Sequence, residues 1–233
     1  MELSQSRLNR ARSQSKSPTP LLLLLTCKMT SALKAACFDR AGIDISITRS
    51  AIEPTVRVLG SVRKAGIPVI YLKQGHRPDL SDLGAPDSPH RLKHAAEGTT
   101  VTAPDGRESR ILIRDTWNTD ILDEVRPEAK DTVIYKTRYS GFYATDLDAV
   151  LRARDIKWLI VTGATTSVCV ESTVRDAMFR DYRCILLADC TGEPIGHHFS
   201  RTNHEASLLT IQTLFGWISS SVEVIRALGQ TTT

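Results

Sequence analysis

The sequence predicts an α/β domain: a mainly parallel sheet of about six strands, covered by helices on both faces. Three observations predict it. Short, almost continuous apolar runs such as "KWLIVTG" and "CILLADC" read as strands buried on both sides. Amphipathic stretches of helical period separate those runs, so that strand and helix alternate along the chain. The chain has 233 residues and is 41% hydrophobic, enough for one sizeable core. One domain is read over residues 20–229, preceded by a disordered, basic, Ser-rich tail at 1–19.

The elements follow in order. "LLLLL" (21–25) is the first buried strand. "SAIEPTVRVLGSVRKAG" opens on Ser50 and Glu53, the spacing of a capping box, and stops at Gly66. Ile52, Val56, Leu59 and Val62 fall on one face of that helix. "IPVIYL" (67–72) is the second strand, and residues 73–109 are rich in loop formers. "ILI" (111–113) reads as a short strand, "NTDILDEV" (118–125) as a short helix and "DTVIY" (131–135) as a strand. Thr145 and Asp148 cap "DLDAVLRARDI". "KWLIVTG" (157–163), the helix "SVCVESTVRDAMFRDY", the strand "CILLADC" (184–190) and a helix over 198–214 continue the alternation. "LFGWISS" then leads into a last helix near 220–228.

Composition narrows the function. Of the net charge of +4, +3 comes from Arg7, Arg10, Arg12 and Lys16 against Glu2. The rest is nearly neutral, which argues against a nucleic-acid-binding face. Five cysteines (27, 37, 169, 184, 190), with no CxxC pair, read as reduced thiols of a cytoplasmic protein. No apolar run approaches the ~20 residues of a membrane span. The Ser/Arg-rich start before "LLLLL" is too short in its apolar part for a usual targeting peptide.

Two reactive residues fall at the carboxyl ends of predicted strands, where ligands bind in open parallel sheets. Lys136 closes "DTVIYK". Cys169 follows the "KWLIVTG" strand, in the first turn of the next helix. The partial positive charge at a helix N-terminus favours a thiolate, and a nearby ammonium favours it further. The amides of that turn point where an oxyanion would form. Against this stands the ordinary reading, a small core cysteine and a solvated lysine. Cys27, Cys37, Cys184 and Cys190 read as core. His76, His90, His94, His197, His198 and His204 show no metal-ligand spacing, and no metal is expected.

The segment "KTRYSGFYATDLDAVLRARDIKWLIVTGATTSVCVESTVRDA" resembles the isochorismatase-like cysteine hydrolases, in particular the ureidoacrylate amidohydrolases, and "FGWISS" agrees. "GHRPDLSDL" (75–83) is similar to the biuret hydrolases of the same superfamily. The likeness spans residues 37–225, and its strand–GxxTxxCV–helix part is the most specific. The resemblance implies a three-layer αβα fold with a Rossmann-like sheet and a Cys–Lys–Asp triad. In that triad Cys169 is the nucleophile and Lys136 holds the thiolate. It also implies a cis peptide at Ala164–Thr165 and oxyanion donors at the amides of Thr165 and Cys169. Trp117, Tyr139 and Phe142 read equally as pocket walls or as ordinary packing. A small ureido or carbamoyl amide is the implied substrate, with no cofactor and with assembly as a homo-oligomer. Isochorismate or nicotinamide hydrolysis is a weaker alternative, the latter opposed by the lack of an Asp/His/His cluster.

The triad's third member is an Asp at the tip of the first strand, in a stretch like "IDMQNDF". Here Thr26 takes that position. With one choice of synonymous codons, "TCKMTSALKAA" (26–36) read one nucleotide earlier becomes "DMQNDFCSEGG". Thr26–Ala36 is therefore read as an out-of-frame stretch. The chain as written is expected to be impaired, or to be a catalytically dead homologue that binds a metabolite or partner.

Overall fold

The computed structural model describes residues 21–27, 44 and 46–229, with only the backbone of 24–27. The strands are β1 (Leu21–Cys27), β2 (Val69–Gln74), β3 (Thr100–Thr102), β4 (Glu108–Arg110), β5 (Thr132–Lys136), β6 (Trp158–Ala164), β7 (Arg183–Gly192) and β8 (Trp217–Ser219). The α-helices are α1 (Ser46–Arg49), α2 (Ile52–Lys64), α3 (Pro89–Lys93), α4 (Leu147–Ala153), α5 (Glu171–Met178), α6 (Asn203–Thr210) and α7 (Ser221–Gly229).

Six strands form one sheet in the order β5-β2-β1-β6-β7-β8, every neighbouring pair parallel. The chain steps outward one way from β1 and then returns to build the other half. The two halves diverge between β1 and β6, and crevices for ligands open at the carboxyl ends of such a pair.

Alternation along the strands builds two cores. Leu23, Tyr71, Ile160 and Ile185 pack on one face with Val58, Leu59 and Val62 of α2 and Val224 and Leu228 of α7. Leu22, Ile70, Leu72, Leu159, Val161 and Leu186 pack on the other with Leu147 and Leu151 of α4 and Val174 and Ala177 of α5. Side chains of period two thus divide between two helical layers, giving the three-layer arrangement.

Several local expectations are corrected. Ser50 does not cap α2: the helix begins after Ala51 without a side-chain cap. The Ser50 hydroxyl donates back to the Ile47 carbonyl, while Glu53 pairs with Arg57. Val56 points to solvent and Val58 takes the core position. The helix foreseen over 118–125 is two 3₁₀ turns, Trp117–Thr119 and Asp123–Val125. "ILI" makes only a single bridge, Ile113 to His76. The loop-rich 73–109 holds α3 and starts the β3–β4 hairpin. β8 stands where the sequence reads only as a lead into a helix. Residues 1–19 and most of Thr26–Ala36 lie outside the described residues.

Candidate active site

β5 ends on Lys136, directly opposite Gln74, the last residue of β2. β6 ends on Ala164, one residue beyond Gly163, which pairs with Thr26 of β1. The tips of β5, β2, β1 and β6 therefore lie side by side. Gly163 sits where the β6–β7 register shifts, with φ +123°, a conformation that a side chain would strain. The Ala164–Thr165 peptide bond after it is cis.

The chain then enters a wide π-helical turn, Thr166–Val170, closed by Val170 N–H donating to the Thr165 carbonyl at 3.2 Å. Cys169 stands in this turn, just before α5, rather than in a regular first helical turn. Buried polar groups fix the turn. Glu193, beyond β7, accepts from the Ser167 amide at 2.6 Å and the Ser167 hydroxyl at 2.5 Å. Thr166 Oγ1 meets His204 Nδ1 at 2.9 Å, and Thr173 Oγ1 donates to the Cys169 carbonyl at 2.7 Å. Burial shifts His204 towards its neutral form, against the pull of Glu193 and Glu205. Sequence reasoning missed Glu193 and His204, because both lie far along the chain from the turn they brace.

Lys136 and Cys169 are each 1% exposed. The Lys136 ammonium donates to Gln74 Oε1 at 2.9 Å, to the Arg138 carbonyl at 2.9 Å and to Cys169 Sγ at 3.4 Å. An ammonium out of water is costly unless its protons find acceptors, and here one acceptor is the sulfur.

The other candidates are distributed differently. Phe142 packs in the core, stacked on Tyr182 at 5.8 Å between centroids, with Arg180 over its ring. Tyr139 is at the surface, its hydroxyl 2.8 Å from His94 Nε2. Trp117 is half-buried at the start of its 3₁₀ turn. Asp44 is exposed and engaged with Ser46, which holds its carboxyl below the usual range through the Ser46 amide and hydroxyl. Asp39, with Asp44 a carboxylate close in sequence to the missing first-strand acid, lies outside the described residues. Beside His94, burial pushes His90 down to about 4, against the opposing charge of Glu97.

Residues 37–223 match the isochorismatase domain model. The chain is 40% identical over 204 residues to a ureidoacrylate amidohydrolase RutB of Methylorubrum extorquens, covering 86% of this chain and 79% of that protein. A second ureidoacrylate amidohydrolase RutB, from Pseudomonas savastanoi pv. phaseolicola, is 40% identical over 182 residues, covering 78% and 72%. Among solved structures, a cysteine hydrolase from Pseudomonas syringae pv. phaseolicola 1448A superposes with a TM-score of 0.72 at 28% identity, covering 93% of this chain and 99% of that one. N-carbamoylsarcosine amidase of Thermoplasma acidophilum shares the fold, with a TM-score of 0.65 at 24% identity over 87% and 96% of the two chains.

Proposed function

Because the chain belongs to the isochorismatase family, we propose that it descends from a cysteine amidohydrolase acting on a small ureido or carbamoyl amide. The observation that carries this reading is the 3.4 Å contact between Lys136 Nζ and Cys169 Sγ, made at the carboxyl ends of strands beside the sheet's switch point. The names of the relatives support the substrate class.

An anionic sulfur beside an ammonium is a nucleophile. Cys169 Sγ attacks the amide carbonyl carbon, and the developing oxyanion is met by the N–H groups of Thr165 and Cys169. The C–N bond breaks, ammonia or an amine departs with a proton, and water cleaves the thioester. In this reading the proton comes from an acid near the end of β1. Thr26, paired in register with Leu72 and Gly163, is the residue at that position, and a threonine cannot supply the proton. The family match begins at Cys37, directly after the stretch read as out of frame, which supports that reading.

The test restores "DMQNDFCSEGG" at 26–36 and assays ureidoacrylate, biuret and simple amides. Turnover is expected, and Cys169→Ala is expected to abolish it. Undiminished turnover in Cys169→Ala sinks the nucleophile assignment. Thr26 itself favours a second reading, a catalytically inert binder. Activity of the unaltered chain equal to that of the restored one would rule that out.

A further inference from the structure

Two residues beyond Gln74 the chain enters another buried polar cluster, whose assignment does not depend on the amidohydrolase reading. His76 is fully buried and held by its backbone, its amide donating to the Leu112 carbonyl at 2.7 Å and its carbonyl accepting from the Arg114 amide at 2.9 Å. His76 Nε2 lies 3.0 Å from Glu97 Oε2, and His90 Nε2 lies 3.6 Å from the same oxygen. The three atoms fall within 4.8 Å of one another. All three are buried, and none has a partner in hydrogen-bonding geometry. The Glu97 side chain is only 2% exposed.

The far side of His76 sharpens the problem. Its Nδ1 lies 3.1 Å from Asp82 Oδ1. The Asp82 carboxylate already accepts from the Arg77 amide and from Arg114 Nη2. A carboxylate only accepts, so Nδ1 donates to Asp82 and Nε2 faces the Glu97 oxygen and the second imidazole at one buried point. Acceptor atoms facing each other at such distances repel unless a proton or a metal ion stands between them.

We infer that His76, His90 and Glu97 form a binding site for a divalent first-row transition ion, with zinc the best fit. Ligand atoms about 2.0–2.1 Å from a tetrahedral zinc lie roughly 3.3 Å from each other, between the 3.0 and 3.6 Å seen here. Two imidazoles and one carboxylate suit zinc or its neighbours and not magnesium or calcium, which take oxygen. Asp82 orients the His76 ring from behind, as carboxylates do behind metal-bound histidines. Three protein ligands leave a fourth position for water or a small ligand. The ligands come from just past β2, from α3 and from the turn after it, so the ion ties α3 and the following turn to the chain leaving β2. Arg138, two residues past Lys136, donates to the carbonyls of Asp82 and Leu83, so the fastened segment adjoins the Lys136 end of β5.

The experiment strips the full chain with a chelator and titrates zinc chloride against a chromophoric competitor. About one zinc per chain is expected at this three-ligand site. Uptake should vanish in the near-isosteric Glu97→Gln and in His90→Ala, and weaken about 10–100-fold in Asp82→Asn. Cobalt(II) substitution gives a readout on the unmutated chain, the intense visible bands of a low-coordinate nitrogen/oxygen site. Absence of zinc uptake, uptake undiminished in both Glu97→Gln and His90→Ala, or a weak octahedral cobalt spectrum each overturns the site. Those results would leave a protonated His76 bridging Asp82 and Glu97.

Discussion

Cys169 and Cys184 are buried almost equally, at 1% and 0% exposure, yet their surroundings are opposite. Cys184 lies inside β7, in the apolar cluster with Leu159, Val161 and Leu186. Burial alone pushes its thiol up to about 12. Cys169 lies at the strand tips, where the Lys136 ammonium reaches its sulfur. Depth does not distinguish these two thiols; position along the sheet does. Strand interiors meet the apolar faces of helices, whereas strand ends meet turns, charges and exposed amides.

The widest expected gap between the two sulfurs is in turnover. In the chain with restored residues 26–36, Cys169→Ala should stop hydrolysis. Cys184→Ala should retain it and cost only about 1 kcal/mol of stability in a denaturant titration. The next effect is that of the first-strand acid. With the rest of 26–36 restored, Thr26→Asp should raise kcat by about 10²–10⁴ over the same chain that keeps Thr26, measured on the same amide. Equal rates would remove the acid from the mechanism.

A smaller effect separates the thiols chemically. Iodoacetamide near neutral pH should label Cys169 before Cys184 or Cys190, followed by peptide mass analysis. Lys136→Met should slow that labelling at least about tenfold, because the charge favouring the anion is gone. Labelling that ignores Lys136 would erase the contrast.

The smallest effect is on alkaline stability. The folded Cys184 and Cys190 thiols are both raised from 9.0 to about 12, Cys184 by burial and Cys190 by burial and then by Asp189. The unfolded chain releases these protons first. Their contribution is therefore fully present below pH 9 and is lost as pH rises towards 12. Denaturation midpoints should fall across that window, and Cys184→Ala should flatten the fall.

Much of this contrast is legible in the sequence. The buried strands "KWLIVTG" and "CILLADC" announce themselves by continuous apolar runs, and both stand where expected, within one or two residues. The Lys136 and Cys169 candidates follow from their places after such runs. Shorter signals mislead. Ser50 and Glu53 have capping-box spacing, but the Ala51 start of α2 leaves Ser50 outside the helix. Capping boxes form instead at Thr202 with Glu205, at the start of α6, and at Ser220 with Glu223, at the start of α7. "NTDILDEV" has helical composition, yet its chain is pinned elsewhere, as where Asn118 Oδ1 accepts from the Leu112 amide at 2.8 Å. β8 is only three residues long and is a strand because β7 offers it an edge.

No member of the histidine cluster could be paired from spacing alone. His76 lies two residues past β2, His90 rides on a five-residue helix and Glu97 follows in a turn. By itself the sequence determined the alternation of strand and helix, the family likeness and the two residues at the strand tips, because local periodicity and turn chemistry are written in neighbouring residues. Only the tertiary structure decided that Lys136 touches Cys169, that Glu193 braces the turn and that two histidines share one carboxylate oxygen. Those are meetings across 33, 26 and as many as 21 positions of chain, fixed by how the sheet and its connections pack and carried by no local pattern.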